Sequence, residues 1–142
     1  GSTSLAPVVA GLRAAFPALA IHESGDLAAV VRMSSENLRI ILMHLADNAA
    51  RHGARRLDIE VAREADVMRV WVRDDGTGVS ANNRDKIFDS FFTTRRDSGG
   101  TGMGLAIVRA MLVAHGGGIE LRPTPSGAEF LLILAAAGPG AA

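Results

Sequence analysis

The chain has 142 residues and a mass of 14.8 kDa, with 15 Lys and Arg against 15 Asp and Glu, four His, no Cys and no Tyr. That length suits one compact domain that buries roughly two-thirds of its unfolded surface without covalent staples. Zero net charge argues against a general polyanion binder or a polybasic membrane module, and the lack of Cys excludes a disulfide framework, a thiolate zinc site and a Cys nucleophile.

Gly1-Ser2 reads as an expression scar, and no basic-then-apolar leader opens the chain. Apolar residues at Leu5, Val8, Val9, Leu12, Ala15 and Phe16 follow a helical period, with Pro7 tolerable only in the first turn and Pro17 as a stop. A strand is expected at Leu19–His22, a turn at Gly25-Asp26 and a second strand at Leu27–Met33. Ser34-Ser35-Glu36 then reads as a helix start, because a Ser side chain accepts orphan amide hydrogens of a first turn. The helix runs to about His52, with Leu38, Ile41, Leu42, Leu45 and Ala49 on one face and Gly53 at its end.

Leu57, Ile59 and Val61 alternate with polar neighbours, as do Met68, Val70 and Val72. The turn Arg63–Asp66 between them suits an antiparallel hairpin. From Asp74 to Gly104 the chain is polar and glycine-rich, broken only by Ile87–Phe92, and a loop of that length inside a small domain is usually functional or disordered. A helix at Met103–His115, closed by Gly116–Gly118, and strands at Gly118–Arg122 and Glu129–Leu134 complete the pattern, with Ala135–Ala142 as a frayed tail. The longest apolar run, Phe130–Ala137, is far short of the roughly 20 residues that span a bilayer. Composition and segments together predict a soluble, cytoplasmic single domain.

The unusual entry in the composition is 16 Gly, and two clusters stand out: Gly76 and Gly78 directly after a strand, and Gly100, Gly102 and Gly104 directly before a helix. Either could be a pair of tight turns. Either could also let a ligand approach the backbone, and glycines at a helix N-terminus expose amide hydrogens to phosphate. The second cluster lacks the Lys-Ser/Thr ending of a P-loop and does not follow a strand as a dinucleotide fingerprint must. Asn48 sits in the interior of the long helix, close to its apolar face, where an amide needs a partner: a backbone group, water or a metal-bound phosphate. Phe88, Phe91 and Phe92 suit a core anchor or a latch on the loop, and Thr93-Thr94-Arg95-Arg96 offers hydroxyls and guanidinium groups to an anion.

In this order the pieces resemble the ATP-binding catalytic domain of bacterial sensor histidine kinases, in a superfamily shared with gyrase-type, heat-shock-chaperone and mismatch-repair ATPases. The likeness covers about Leu19 to Ala135. Leu45–His52 resembles the N box, Asp74–Val79 the first glycine box, Ile87–Thr94 the F box, Gly99–Val108 the second glycine box and Ser126–Phe130 a terminal glycine motif. The resemblance implies a two-layer α/β sandwich, with a mixed, mostly antiparallel sheet, helices on one face, and ATP held between helices and a lid at about Ser80–Thr101. The domain would occupy 19–136, with 1–18 as scar plus connector helix and 137–142 as tail.

The resemblance also implies roles. Asn48 would coordinate Mg²⁺ on the ATP phosphates, and Asp74 would accept a hydrogen bond from the adenine exocyclic amine. Gly76, Gly78 and Val79 would lie against base and ribose, and Phe88 would anchor the lid. Arg51 and His52 would contact phosphate, Gly100, Gly102 and Gly104 would form the hinge and phosphate-facing edge of the lid, and Phe88, Thr94, Thr101, Met103 and Leu105 would also border the nucleotide. Arg95 would reach the terminal phosphate, and Asn48 and Arg95 are the catalytic candidates. Leu105 and Ile107 would be pocket wall or core.

Two departures qualify the likeness. His44 stands one turn before Asn48, where the superfamily's hydrolases carry a water-activating Glu and many histidine kinases an Asn, so efficient autonomous ATP hydrolysis is not expected. No His has the family's acceptor context; His22-Glu23 is followed by Ser24-Gly25-Asp26. The expected partners are therefore a separate dimerisation and phosphotransfer domain and a downstream response regulator. Nucleic acid and direct membrane contact are not expected. The parent protein would be a homodimer and this piece a monomer. Other classes with this nucleotide fold are an anti-sigma-factor-type serine kinase and a non-catalytic nucleotide-binding module.

Overall fold

Leu38, Ile41, Leu42, Leu45, Ala46 and Ala49 recur at three- and four-residue intervals, and all six are buried on one side of helix α2 (Ser35–Arg51). Ser34 begins that helix as expected, its hydroxyl accepting the Asn37 amide at 3.1 Å. The computed structural model describes residues 1–89 and 104–138. Within them the chain forms β1 (Thr3–Ser4), α1 (Leu5–Ala15), β2 (Ala20–Gly25), β3 (Val30–Val31), α2, β4 (Arg56–Glu64), β5 (Val67–Asp74), α3 (Gly104–Ala114), β6 (Gly118–Arg122) and β7 (Ala128–Ala135).

The main sheet has the order β2-β4-β5-β7-β6, with β2 and β4 parallel and every other pair antiparallel. Alternation explains how it packs. Leu57, Ile59 and Val61 of β4, Met68, Val70 and Val72 of β5, and Phe130, Leu132 and Leu134 of β7 share one core with the buried faces of the three helices. Intervening residues turn to the other face, where Arg73 bridges Glu60 at 2.9 Å and pairs with Glu129. This is the two-layer α/β arrangement anticipated, with a mixed, mostly antiparallel sheet.

Four local differences have physical causes. Helix α1, expected as a connector, is itself a core element, since Leu5, Val8, Val9 and Leu12 are buried in the same cluster as α2. Strand β2 runs on to Gly25, while the expected strand at Leu27–Met33 shrinks to Val30–Val31. The cause is a turn: Gly25 has φ +88°, a Cβ there would lie 2.0 Å from the Val61 carbonyl oxygen, and the Asp26 amide donates to that same oxygen at 2.8 Å. The chain is thereby turned off the sheet, and β3 pairs instead with β1.

The β4–β5 hairpin is tighter than the Arg63–Asp66 turn suggested, with Glu64 paired to Val67 and only Ala65 and Asp66 outside the ladder. The C-terminal stretch is also held where fraying was expected. Ala136 is buried and bridges Val31, and the Arg63 guanidinium donates to the Ala137 and Gly138 carbonyls at 2.7 and 2.9 Å. Among the described residues no helix is long and apolar enough to cross a membrane.

Candidate functional site

The candidate site is built around α2, which meets the loop after β5 through His52 and Thr77 and the start of α3 through His44 and Gly104. Its first part follows from the exit of β5. Asp74 closes that strand, opposite Ala128 of β7, and its Oδ1 accepts the Gly76 amide at 2.9 Å. The carboxyl group is half-buried, and this desolvation pushes its pKa above the ordinary carboxylate value against the opposing effect of the Gly76 and Ala128 amides.

Two glycines permit this loop path. A Cβ on Gly76 would stand 2.7 Å from the His52 carbonyl oxygen, and one on Gly78 would stand 2.7 Å from that of Gly127. Both neighbours are backbone, so neither could yield cheaply. Gly127 closes the same knot from the terminal glycine motif: its own Cβ would lie 1.8 Å from the Asp74 carbonyl oxygen. Asp75, beside Asp74, does something different. Its Oδ1 accepts the Arg55 and Arg56 amides at 2.8 and 3.0 Å, which ties the loop to the start of β4 and holds its carboxyl below the ordinary range. Sequence reasoning gave Asp75 no role; the doubled Asp before Gly was its only trace.

Helix α2 supplies the second wall. Asn48 is half-buried, and Arg51 and His52 follow at the helix end. Arg51 Nε pairs with Asp47 Oδ2 at 2.7 Å, so part of that guanidinium is engaged by its own helix. His52 meets the glycine loop directly: its carbonyl accepts the Thr77 amide at 2.9 Å, and Nδ1 lies 3.3 Å from Thr77 Oγ1.

Helix α3 forms the third wall. Gly104 opens it as described, and the position its Cβ would take lies 3.3 Å from His44 Nδ1, so α2 and α3 approach closely there. Leu105 and Val79 are partly buried and pack against the core. Ile107, expected as wall or core, is instead 36% exposed. Phe88 is half-buried and stands edge-on to Phe130, with ring centroids 6.2 Å apart, beneath the Arg109 guanidinium at 5.9 Å. Thr94, Arg95, Gly100, Thr101, Gly102 and Met103, together with Phe91 and Phe92, lie outside the described residues. Among the described residues, no group of three or more His, Cys, Asp and Glu side chains gathers as a metal cage.

Residues 33–137 match the family model described as histidine kinase-, DNA gyrase B- and HSP90-like ATPase. The sensor histidine kinase CpxA of Escherichia coli strain K12 is 36% identical over 100 residues, 68% of this chain and 22% of CpxA. The sensor histidine kinase WalK of Bacillus subtilis strain 168 is 32% identical over 97 residues, 63% of this chain and 16% of WalK. The chain thus spans less than a quarter of the length of either protein. Among solved structures, the catalytic domain of histidine kinase ThkA superposes with a TM-score of 0.82 at 23% identity, covering 95% of this chain and 96% of that one. Full-length ShkA in complex with AMPPNP gives 0.76 at 27% identity, covering 96% of this chain and 30% of that one.

Proposed function

Because the chain belongs to the family of histidine kinase-, DNA gyrase B- and HSP90-like ATPases, we propose that it is the ATP-binding catalytic domain of a two-component sensor histidine kinase. The single observation that carries the site assignment is the half-buried Asp74 carboxylate, set by Gly76 and Gly127 at the mouth of the β5 loop. An acceptor-only group there favours adenine, which presents an amine, over guanine, which presents a carbonyl.

The remaining residues divide by chemistry. Gly76, Gly78 and Val79 would lie beside base and ribose. Asn48, Arg51, His52 and the N-terminal end of α3 face the phosphates, with the helix dipole favouring their negative charge. The Asn48 carboxamide is a hard oxygen donor of the kind Mg²⁺ accepts, and it suits an ion held otherwise by phosphate and water. Bound there, Mg²⁺ would neutralise phosphate charge. The role of Arg95 at the terminal phosphate belongs to the same proposal.

Phosphoryl transfer needs positioning and charge neutralisation more than covalent help from the protein. The chain's residues would hold the nucleotide, and the accepting His would come from a dimerisation domain of the parent, which passes the phosphoryl group to a response regulator. The parent would be a homodimer that keeps this domain in the cytoplasm. Incubating the full-length parent with γ-labelled ATP tests this reading. Acid-labile, alkali-stable label on a His outside this domain is expected, lost in Asn48→Ala; label confined to a Ser would assign the chain to the serine kinases instead.

A further inference from the structure

We propose that His44 is a ligand of the terminal phosphate of a bound nucleoside triphosphate, and that it makes the site prefer the triphosphate to the diphosphate. The proposal rests on the nucleotide-site reading above and adds a residue to it. Its basis is placement. His44 and Asn48 are four residues apart on α2 and share one face, since side chains at that spacing lie one above the other. Asn48 faces the phosphates in the proposed site, so His44 extends the same wall by one turn.

The ring stands against the start of α3. Its Nδ1 lies 3.3 Å from the place a Cβ would take on Gly104, so the absent side chain lets the imidazole sit close against the first described residue of the helix whose amides would face phosphate. The ring is half-buried, and among the described residues no hydrogen bond or ion pair engages it. A nitrogen-bearing ring in that position, with no partner among the described residues, between Asn48 and the start of α3, has a phosphate oxygen as its natural acceptor for a ring N–H. A residue that only filled space between α2 and α3 would not need the nitrogen.

That distinction gives the test. His44→Leu keeps the volume without the donor, and His44→Gln keeps an N–H donor. Each is titrated calorimetrically with AMPPNP and with ADP, both with Mg²⁺, beside the wild type, and the His44 imidazole is followed by ¹⁵N NMR. His44→Leu is expected to bind AMPPNP about tenfold more weakly with ADP changed less than twofold, the worth of one hydrogen bond to a charged group. His44→Gln recovers most of that loss, and the wild-type ring resonance moves with AMPPNP but not with ADP. An unchanged AMPPNP-to-ADP ratio in His44→Leu, or equal losses for both nucleotides, would overturn the proposal. A wild-type chain that bound neither nucleotide would overturn the underlying site reading, and this inference with it.

Discussion

The carbonyl oxygen of His52, at the end of α2, accepts the Thr77 amide at 2.9 Å, and its ring Nδ1 stands 3.3 Å from the Thr77 hydroxyl. One residue thus joins the helix carrying Asn48 to the loop carrying Asp74, and sets the two walls of the proposed nucleotide site at a fixed separation. The chemistry ascribed to the site depends on that joint more than on any single ligand.

Gly76 is where the joint is most easily broken. A methyl group there meets the His52 carbonyl oxygen at 2.7 Å and the Asp74 Oδ1 at 3.1 Å. Gly76→Ala should cost about 1–3 kcal/mol of stability, the usual result of overpacking. Adenine-nucleotide affinity should fall at least about tenfold through displacement of the loop. Denaturant unfolding and nucleotide titration measure the two separately; unchanged values in both would contradict the clamp.

Asp74 should set stability against function. Burial raises its carboxyl pKa above the ordinary value of 3.8. The folded chain therefore binds this proton more tightly than the unfolded chain does. The contribution of the group to stability is most favourable below the ordinary value and declines as pH rises through the raised one. At neutral pH the ionised form is a burden on the fold, so Asp74→Asn should leave the apo domain as stable or more stable. The same change places a donor before the adenine amine and should weaken adenine binding by about tenfold or more. A variant that melts earlier and binds normally would reverse both assignments.

Legibility in the sequence followed the range of the interactions. The long helix, the alternating strands β4 and β5 and the Gly76–Gly78 turn were readable because local periodicity and backbone requirements coincide there. The stretch Leu27–Met33 was misjudged because its fate is decided by Gly25 against Val61, a contact 36 residues away in the chain. The held C-terminus depended on Arg63, and the role of Asp75 on the amides of Arg55 and Arg56, partners that no local pattern discloses. His44 was visible only as a departure; its setting against Gly104 needed the packing of α2 on α3.

Ala65 is the one described non-glycine residue with positive φ, at 55°, and it is the first of the two residues joining β4 to β5. A two-residue hairpin turn with positive φ at its first position alone favours Gly there. Ala65→Gly should therefore stabilise the domain by about 0.5–1 kcal/mol, because relief of the strained conformation outweighs the added freedom of the unfolded chain. The site lies far along the hairpin from Asp74, so nucleotide affinity should not change. A lower unfolding midpoint would contradict the strain.

Ser34 caps α2 through a single hydrogen bond of 3.1 Å to the Asn37 amide. Ser34→Ala should cost about 1 kcal/mol, and Ser34→Asp should recover it. Thermal unfolding of the three proteins reads the effect directly; an indifferent Ala variant would mean that the first turn is held by the core contact of Leu38 instead.

The central claim is a nucleotide site in which Asp74 reads adenine and Asn48 serves the metal-bound phosphates. Calorimetric titration of this chain with AMPPNP, with and without Mg²⁺ and beside the guanine analogue, tests it most directly. The account predicts saturable one-to-one binding of the adenine nucleotide, strengthened by Mg²⁺ in the wild type and little affected by Mg²⁺ in Asn48→Ala, with the guanine analogue weaker by about tenfold or more. Equal binding of both bases, or no binding of either by the wild type, would contradict it.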